Sequence, residues 1–192
     1  MINKFDSAMD RMFSRYSTIL SHYYPAHGAT GFTERNLTNN FVFALEEYLG
    51  KQCISWFEAP ICLDNNKHID AVVFYNNVTI LIEAKRFTSV GSKIESVNSD
   101  IERMHSTKSI ELVEAGLGRS KNDRKRYSVV LADVWTETGS KSSVYKNWPN
   151  CILGDSGKNF VYSKTLSFSD LPVEGKWKEN YKILIAVSEI KI

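Results

Sequence analysis

The chain has 192 residues, 43% of them hydrophobic and 24% charged, which suits one α/β or α+β domain and leaves no room for a long low-complexity tract. Its formal net charge of +2 is too small to identify a partner, yet it does not exclude nucleic acid, whose binding depends on where Lys and Arg sit. Cys53, Cys62 and Cys151 form no CxxC pair and read as reduced thiols, and no apolar run approaches ~18 residues, so no membrane partner and a cytoplasmic location are expected.

Phe5, Met9, Met12, Phe13, Tyr16, Ile19, Leu20 and Tyr23 recur at helical spacing and predict an amphipathic helix over 5–23 that stops before Pro25. After the Gly28 to Gly31 breaker, Thr33 is the expected cap of a second helix carrying Leu37, Phe41, Leu45 and Tyr48 and ending at Gly50. The period then changes. IDAVVF and VTILIEA are rich in β-branched residues and are separated by Asn76 and Asn77, a pair able to take the positive φ angles of a tight hairpin turn. Ile94, Val97, Ile101 and Met104 restore a helical period over 93–105, a further helix is expected over 110–117 closed by Gly118, and YSVVLADVW follows as a strand. In the last sixty residues NFVYSKTLSF and YKILIAVSEI read as strands around a turn region near Pro172 and Gly175. This order predicts a mixed central sheet flanked by helices.

The hairpin brings chemistry together. With a two-residue turn, pairing starts at Tyr75 opposite Val78 and proceeds outward to Asp70 opposite Glu83, and Lys85 shares the face of Glu83. Two opposed carboxylates on strands this apolar need compensation. A hard divalent cation supplies it, since Mg²⁺ takes one or two carboxylates and completes its shell with water and substrate phosphate. On the second helix Glu34 lies within about 40° of Thr38, Phe41, Leu45 and Tyr48, so it projects from the apolar stripe toward the hairpin, although a first-turn Glu also complements the helix dipole.

These residues, Asp70 followed after twelve positions by Glu83-Ala84-Lys85 with Glu34 on the preceding helix, resemble the PD-(D/E)xK nuclease superfamily over about 33–134. Ile69 stands where the nominal motif has proline, and the following helix lacks the Gln and Tyr signature of one subgroup. The resemblance implies a restriction-endonuclease-like three-layer α/β domain spanning 1–192, with the helix over 5–23 and the strands of 135–192 as additions. It further implies a Mg²⁺- or Mn²⁺-dependent nuclease hydrolysing phosphodiester bonds, with Asp70, Glu83 and Glu34 as metal ligands and Lys85 aligning water. DNA is the favoured substrate on family grounds, in restriction, phage defence or DNA processing, and a homodimer is one form in which both strands are cut. The alternatives are a toxin or effector nuclease acting on RNA and a noncatalytic nucleic-acid-binding or assembly protein on the same fold.

Other residues are weaker candidates. His68 falls opposite Lys85 in the same register, and Arg86 follows the motif; both are candidate phosphate contacts. Arg119, Lys121, Arg124, Lys125 and Arg126 form a basic run suited to a nucleic-acid backbone, or simply a solvated loop. Asp100 is an uncertain addition to a metal site, Glu102 a flank position, and Asp133 either structural or near the site. Tyr145, Trp148 and Trp177 read as packing before base stacking. No Ser or Cys sits in a nucleophile elbow, and His22, His27, His68 and His105 lack metal spacing.

Overall fold

The computed structural model describes residues 1–22, 33–62, 67–87, 90–117, 123–136, 139–152, 159–174 and 177–192, with the backbone alone at 139, 140 and 177. The expected features at Tyr23, Pro25, Gly28 to Gly31, Gly118 and Gly175 lie outside the described residues.

Helix α1 (Ile2–His22) follows the predicted stripe, burying Phe5, Met9, Met12, Tyr16 and Leu20. Helix α2 (Glu34–Leu49) begins where Thr33 accepts the Asn36 N–H and ends at Gly50, whose φ of 79° only glycine adopts without strain. Its buried residues include Leu37, Thr38, Phe41 and Leu45, whereas Tyr48, expected on the apolar stripe, is exposed.

Six strands form one mixed sheet in the order β1-β2-β3-β4-β6-β5, comprising β1 (Cys53–Cys62), β2 (Lys67–Tyr75), β3 (Val78–Phe87), β4 (Lys125–Trp135), β5 (Phe160–Ser167) and β6 (Tyr181–Ile190). All neighbours pair antiparallel except β3 and β4, which are parallel and joined through α3 (Val90–Met104) and α4 (Thr107–Glu114). Two short helices missing from the sequence reading, α5 (Gly139–Lys146) and α6 (Trp177–Asn180), complete the chain.

Side chains of the sheet alternate between two cores. Ala71, Val73, Ile80, Ile82, Val129 and Leu131 pack under α1 and α2. Val72, Phe74, Leu81, Val130 and Ala132 pack with α3 and α4 residues such as Val97, Ile101, Ile110 and Val113. The result is a three-layer α/β arrangement. No described helix is long and apolar enough to cross a membrane, and all three cysteines are free thiols.

Candidate active site on the hairpin

The hairpin register is the expected one from Tyr75↔Val78 to Ala71↔Ile82. It stops one rung short of Asp70. The β1–β2 ladder also skips this position, passing from Phe57↔Ala71 to Ala59↔Ile69, where Glu58 takes a φ of 52°. Asp70 therefore sits in a gap of both ladders, and its Oδ2 accepts the Ala84 N–H at 2.7 Å in place of a strand carbonyl. The hydroxyl of Thr38 on α2 lies 3.5 Å from the same oxygen. Asp70 is thus not a direct ladder partner of Glu83, because its carboxylate does the work of a backbone acceptor.

Glu83 and Lys85 share the face that looks toward α3. The Lys85 Nζ lies 2.5 Å from Glu83 Oε1 and 2.8 Å from Asp100 Oδ2, while Arg103 binds Asp100 at 2.7 Å and reaches within 3.8 Å of Glu83. Glu83 is 5% exposed, and its second oxygen, Oε2, is buried without a hydrogen-bond partner. Burial first, and then the charge of Asp70, push the Glu83 carboxyl up to about 7. Asp70 is raised as well, by burial and by the charges of Glu34 and Glu58, against the pull of the Ala84 N–H and Lys85. For Lys85 burial opposes the charge, but Glu83 and Asp100 outweigh it and hold the amine above its ordinary value.

Glu34 reaches the hairpin from the opposite layer, as its helical position predicts. Its Oε1 accepts the Arg86 N–H at 2.8 Å and lies 3.3 Å from Lys93 Nζ. It shares with Asp70 an open groove of about 590 Å³ between α2 and the first two strands. Glu34 and Asp70 thus meet on the α2 side of the end of β3, with Glu34 tied to backbone and lysine, whereas Glu83 and Lys85 face α3; Asp70 still lies near enough for its charge to act on Glu83. Among the described residues no group of three His, Cys, Asp or Glu side chains forms a metal cluster. The acids whose charges act on each other here are Asp70 and Glu83, and Glu83 keeps one buried oxygen without a partner.

Asp100 and Arg103 are stronger members of this cluster than the sequence reading allowed. The signal was present, since Val97, Asp100, Ile101 and Met104 stand at i, i+3, i+4 and i+7, a stripe that buries Asp100 to 6% exposure. Glu102 is exposed at the flank as expected.

Several second-tier expectations are corrected. His68 is exposed and pairs with Pro60 on β1, because the β2–β3 ladder ends before reaching it. Arg86 turns to the α1 face, 3.9 Å from the buried Asp133, whose Oδ2 accepts from Tyr181 at 3.2 Å. Asp133 is therefore structural in its contacts. In the basic run, Arg124 and Arg126 are buried on Glu114 and backbone carbonyls rather than presented to solvent. Lys125 is exposed but pairs with Val78, seven residues along β3 from Lys85, which is about 23 Å at strand rise. Arg119 and Lys121 lie outside the described residues. Tyr145 and Trp148 pack against the second core, where Trp148 Nε1 donates to the Ile185 carbonyl; the Trp177 side chain lies outside the described residues.

Comparison with protein-family models, with curated proteins and with solved structures finds no match.

Proposed function

We propose that the chain is a divalent-metal-dependent nuclease of the PD-(D/E)xK kind, on a restriction-endonuclease-like fold, hydrolysing phosphodiester bonds with DNA as the favoured substrate. The observation that carries this reading is the buried, unpartnered Glu83 Oε2 beside Asp70 and Lys85 on one hairpin. A buried carboxylate oxygen without a partner carries a desolvation cost that a bound cation would offset.

Asp70 and Glu83 would hold Mg²⁺ or Mn²⁺, and the bound cation would stabilise the charge that develops on the phosphate and acidify an attacking water. The chain's own groups do the rest. Lys85, kept charged by Glu83 and Asp100, donates hydrogen bonds that orient the water rather than taking its proton. Arg103 holds Asp100, and Asp100 in turn fixes the lysine amine. Glu34 adds a negative field behind Asp70 and braces the end of β3 through the Arg86 N–H.

The test is a cleavage assay on plasmid, single-stranded DNA and RNA with Mg²⁺ and Mn²⁺. Metal-dependent cutting is expected, reduced by about 100-fold or more in Lys85→Ala. Absence of metal-dependent cutting on all substrates, or equal cutting by Lys85→Ala, removes the nuclease reading.

A further inference from the structure

The groove that Asp70 shares with Glu34 runs on past the acids to an aromatic end, where Phe43 of α2 is 44% exposed. Phe57 of β1 meets its ring edge to face, with centroids 6.4 Å apart at 61°, and the Arg15 guanidinium lies 5.7 Å from the ring centroid. Two neighbours thus fix the ring while leaving nearly half of it in contact with solvent. Asn39, a turn earlier on α2, lines the same groove and offers both a donor and an acceptor. The groove is therefore acidic around Asp70, Glu34 and Glu58, the last paired with Arg35, and aromatic with an amide edge at Phe43 and Asn39. A nucleotide matches the aromatic part through its base, a flat π surface with hydrogen-bonding edges, and would meet the acids through the cation of the nuclease reading.

The spacing agrees. Thr38, which touches Asp70, and Phe43 are five residues apart on one helix, about 7.5 Å of axial rise, within the span of a single nucleotide. The volume of about 590 Å³ lies in the range of pockets that take small organic groups. A base inside a duplex cannot enter such a groove without leaving its stack, whereas a single strand offers its bases freely.

We infer that the Phe43–Phe57 groove is a base-stacking subsite, which receives the nucleobase next to the phosphate that the cation of the nuclease reading would hold beside Asp70 and so makes single-stranded nucleic acid the preferred substrate. This rests on the nuclease reading for its register, and the experiment separates the two. The full chain carrying Lys85→Ala is titrated, with Mg²⁺, into a short single-stranded DNA containing 2-aminopurine, an equivalent RNA, and the DNA annealed to its complement. Stacking is expected to quench the single-strand fluorescence. Adding Phe43→Ala is expected to abolish the quench and weaken single-strand binding about ten-fold, with duplex binding unchanged, while Phe43→Trp retains both. Because Phe43 is half exposed, its truncation leaves the core intact.

The inference is overturned if no single strand binds, or if Phe43→Ala quenches and binds as its parent does. A protein with active Lys85 that binds and quenches but cuts nothing loses the nuclease reading and keeps the subsite. One that cuts single-stranded and duplex DNA in the same ratio with and without Phe43 keeps the nuclease reading and loses the subsite. The RNA arm shows whether the sugar matters to the stack.

Discussion

Two buried ion networks sit at opposite ends of β3, and they are finished to different degrees. Near the hairpin turn, Glu114 of α4 is 1% exposed, with both oxygens engaged by Arg126 and with Thr79 and Arg124 around them. The positive charges outnumber the acid and each guanidinium also donates to backbone carbonyls. At the far end Asp70, Glu83 and Asp100 outnumber Lys85 and Arg103, and Glu83 keeps one oxygen without a partner. The first network closes itself, as a staple should. The second has more acids than bases, and the proton that Glu83 keeps up to about 7 makes up part of the difference, a balance that a cation could replace on the proposed reading.

The sharpest way to break this contrast is to cut each network at its acid. Glu114→Ala strands two buried arginines and is expected to cost about 3–5 kcal/mol, read as a fall in the urea midpoint with unchanged slope. A cost below 1 kcal/mol would mean that the staple is ornamental. Glu83→Gln should do the reverse at neutral pH, holding or raising the melting temperature because it relieves a buried repulsion, while removing the metal-dependent cutting that the proposed function requires.

The pH dependence sharpens the same point. Folded Glu83 keeps its proton up to about 7, whereas in the unfolded chain it is released near its ordinary 4.5. With no metal, stability from this group is full below about pH 4.5 and declines as the pH rises to about 7, by at most about 3 kcal/mol. Asp133, also raised by burial to about 7, titrates in the same window, so the Glu83 share is the difference between the wild-type and Glu83→Gln curves. Mg²⁺ should raise the melting temperature more at pH 8 than at pH 5, since it binds the deprotonated pair. Identical curves for the two proteins would take Glu83 out of any metal site, and no response to Mg²⁺ at pH 8 would remove the metal reading altogether. The smallest expected effect is that of Asp100→Asn, about a ten-fold loss in kcat with KM unchanged and a basic limb of the pH profile moved down, as the lysine amine loses one of its two acids. A change in KM alone would make Asp100 a structural residue.

The hairpin was the most legible part of the sequence, because a two-asparagine turn between β-branched runs sets the register and the register holds for five consecutive pairs. The Thr33 cap, the Gly50 stop and the YKILIAVSEI strand were equally local signals. β1 was not legible. It is an edge strand containing Pro60 and a positive φ at Glu58, with Ile54 and Trp56 left exposed, so its apolar residues mark no single face. The basic run misled for the opposite reason. Five like charges look solvated until an acid in another element's core stripe claims two of them, and Glu114, beside Ile110 and Val113, is such an acid. The gap at Asp70 was beyond local reading, because it arises from a conformation at Glu58 on a strand the sequence had not declared.

That gap ties the chemistry to the backbone by a single proton. The amide of Ala84 lies between Glu83 and Lys85 in sequence and points at Asp70. Whatever changes the charge on Asp70, whether a proton, a cation or an approaching anion, is felt by a peptide group in the middle of β3. Its nitrogen resonance and exchange rate make a built-in gauge of site occupancy that requires no label beyond isotope.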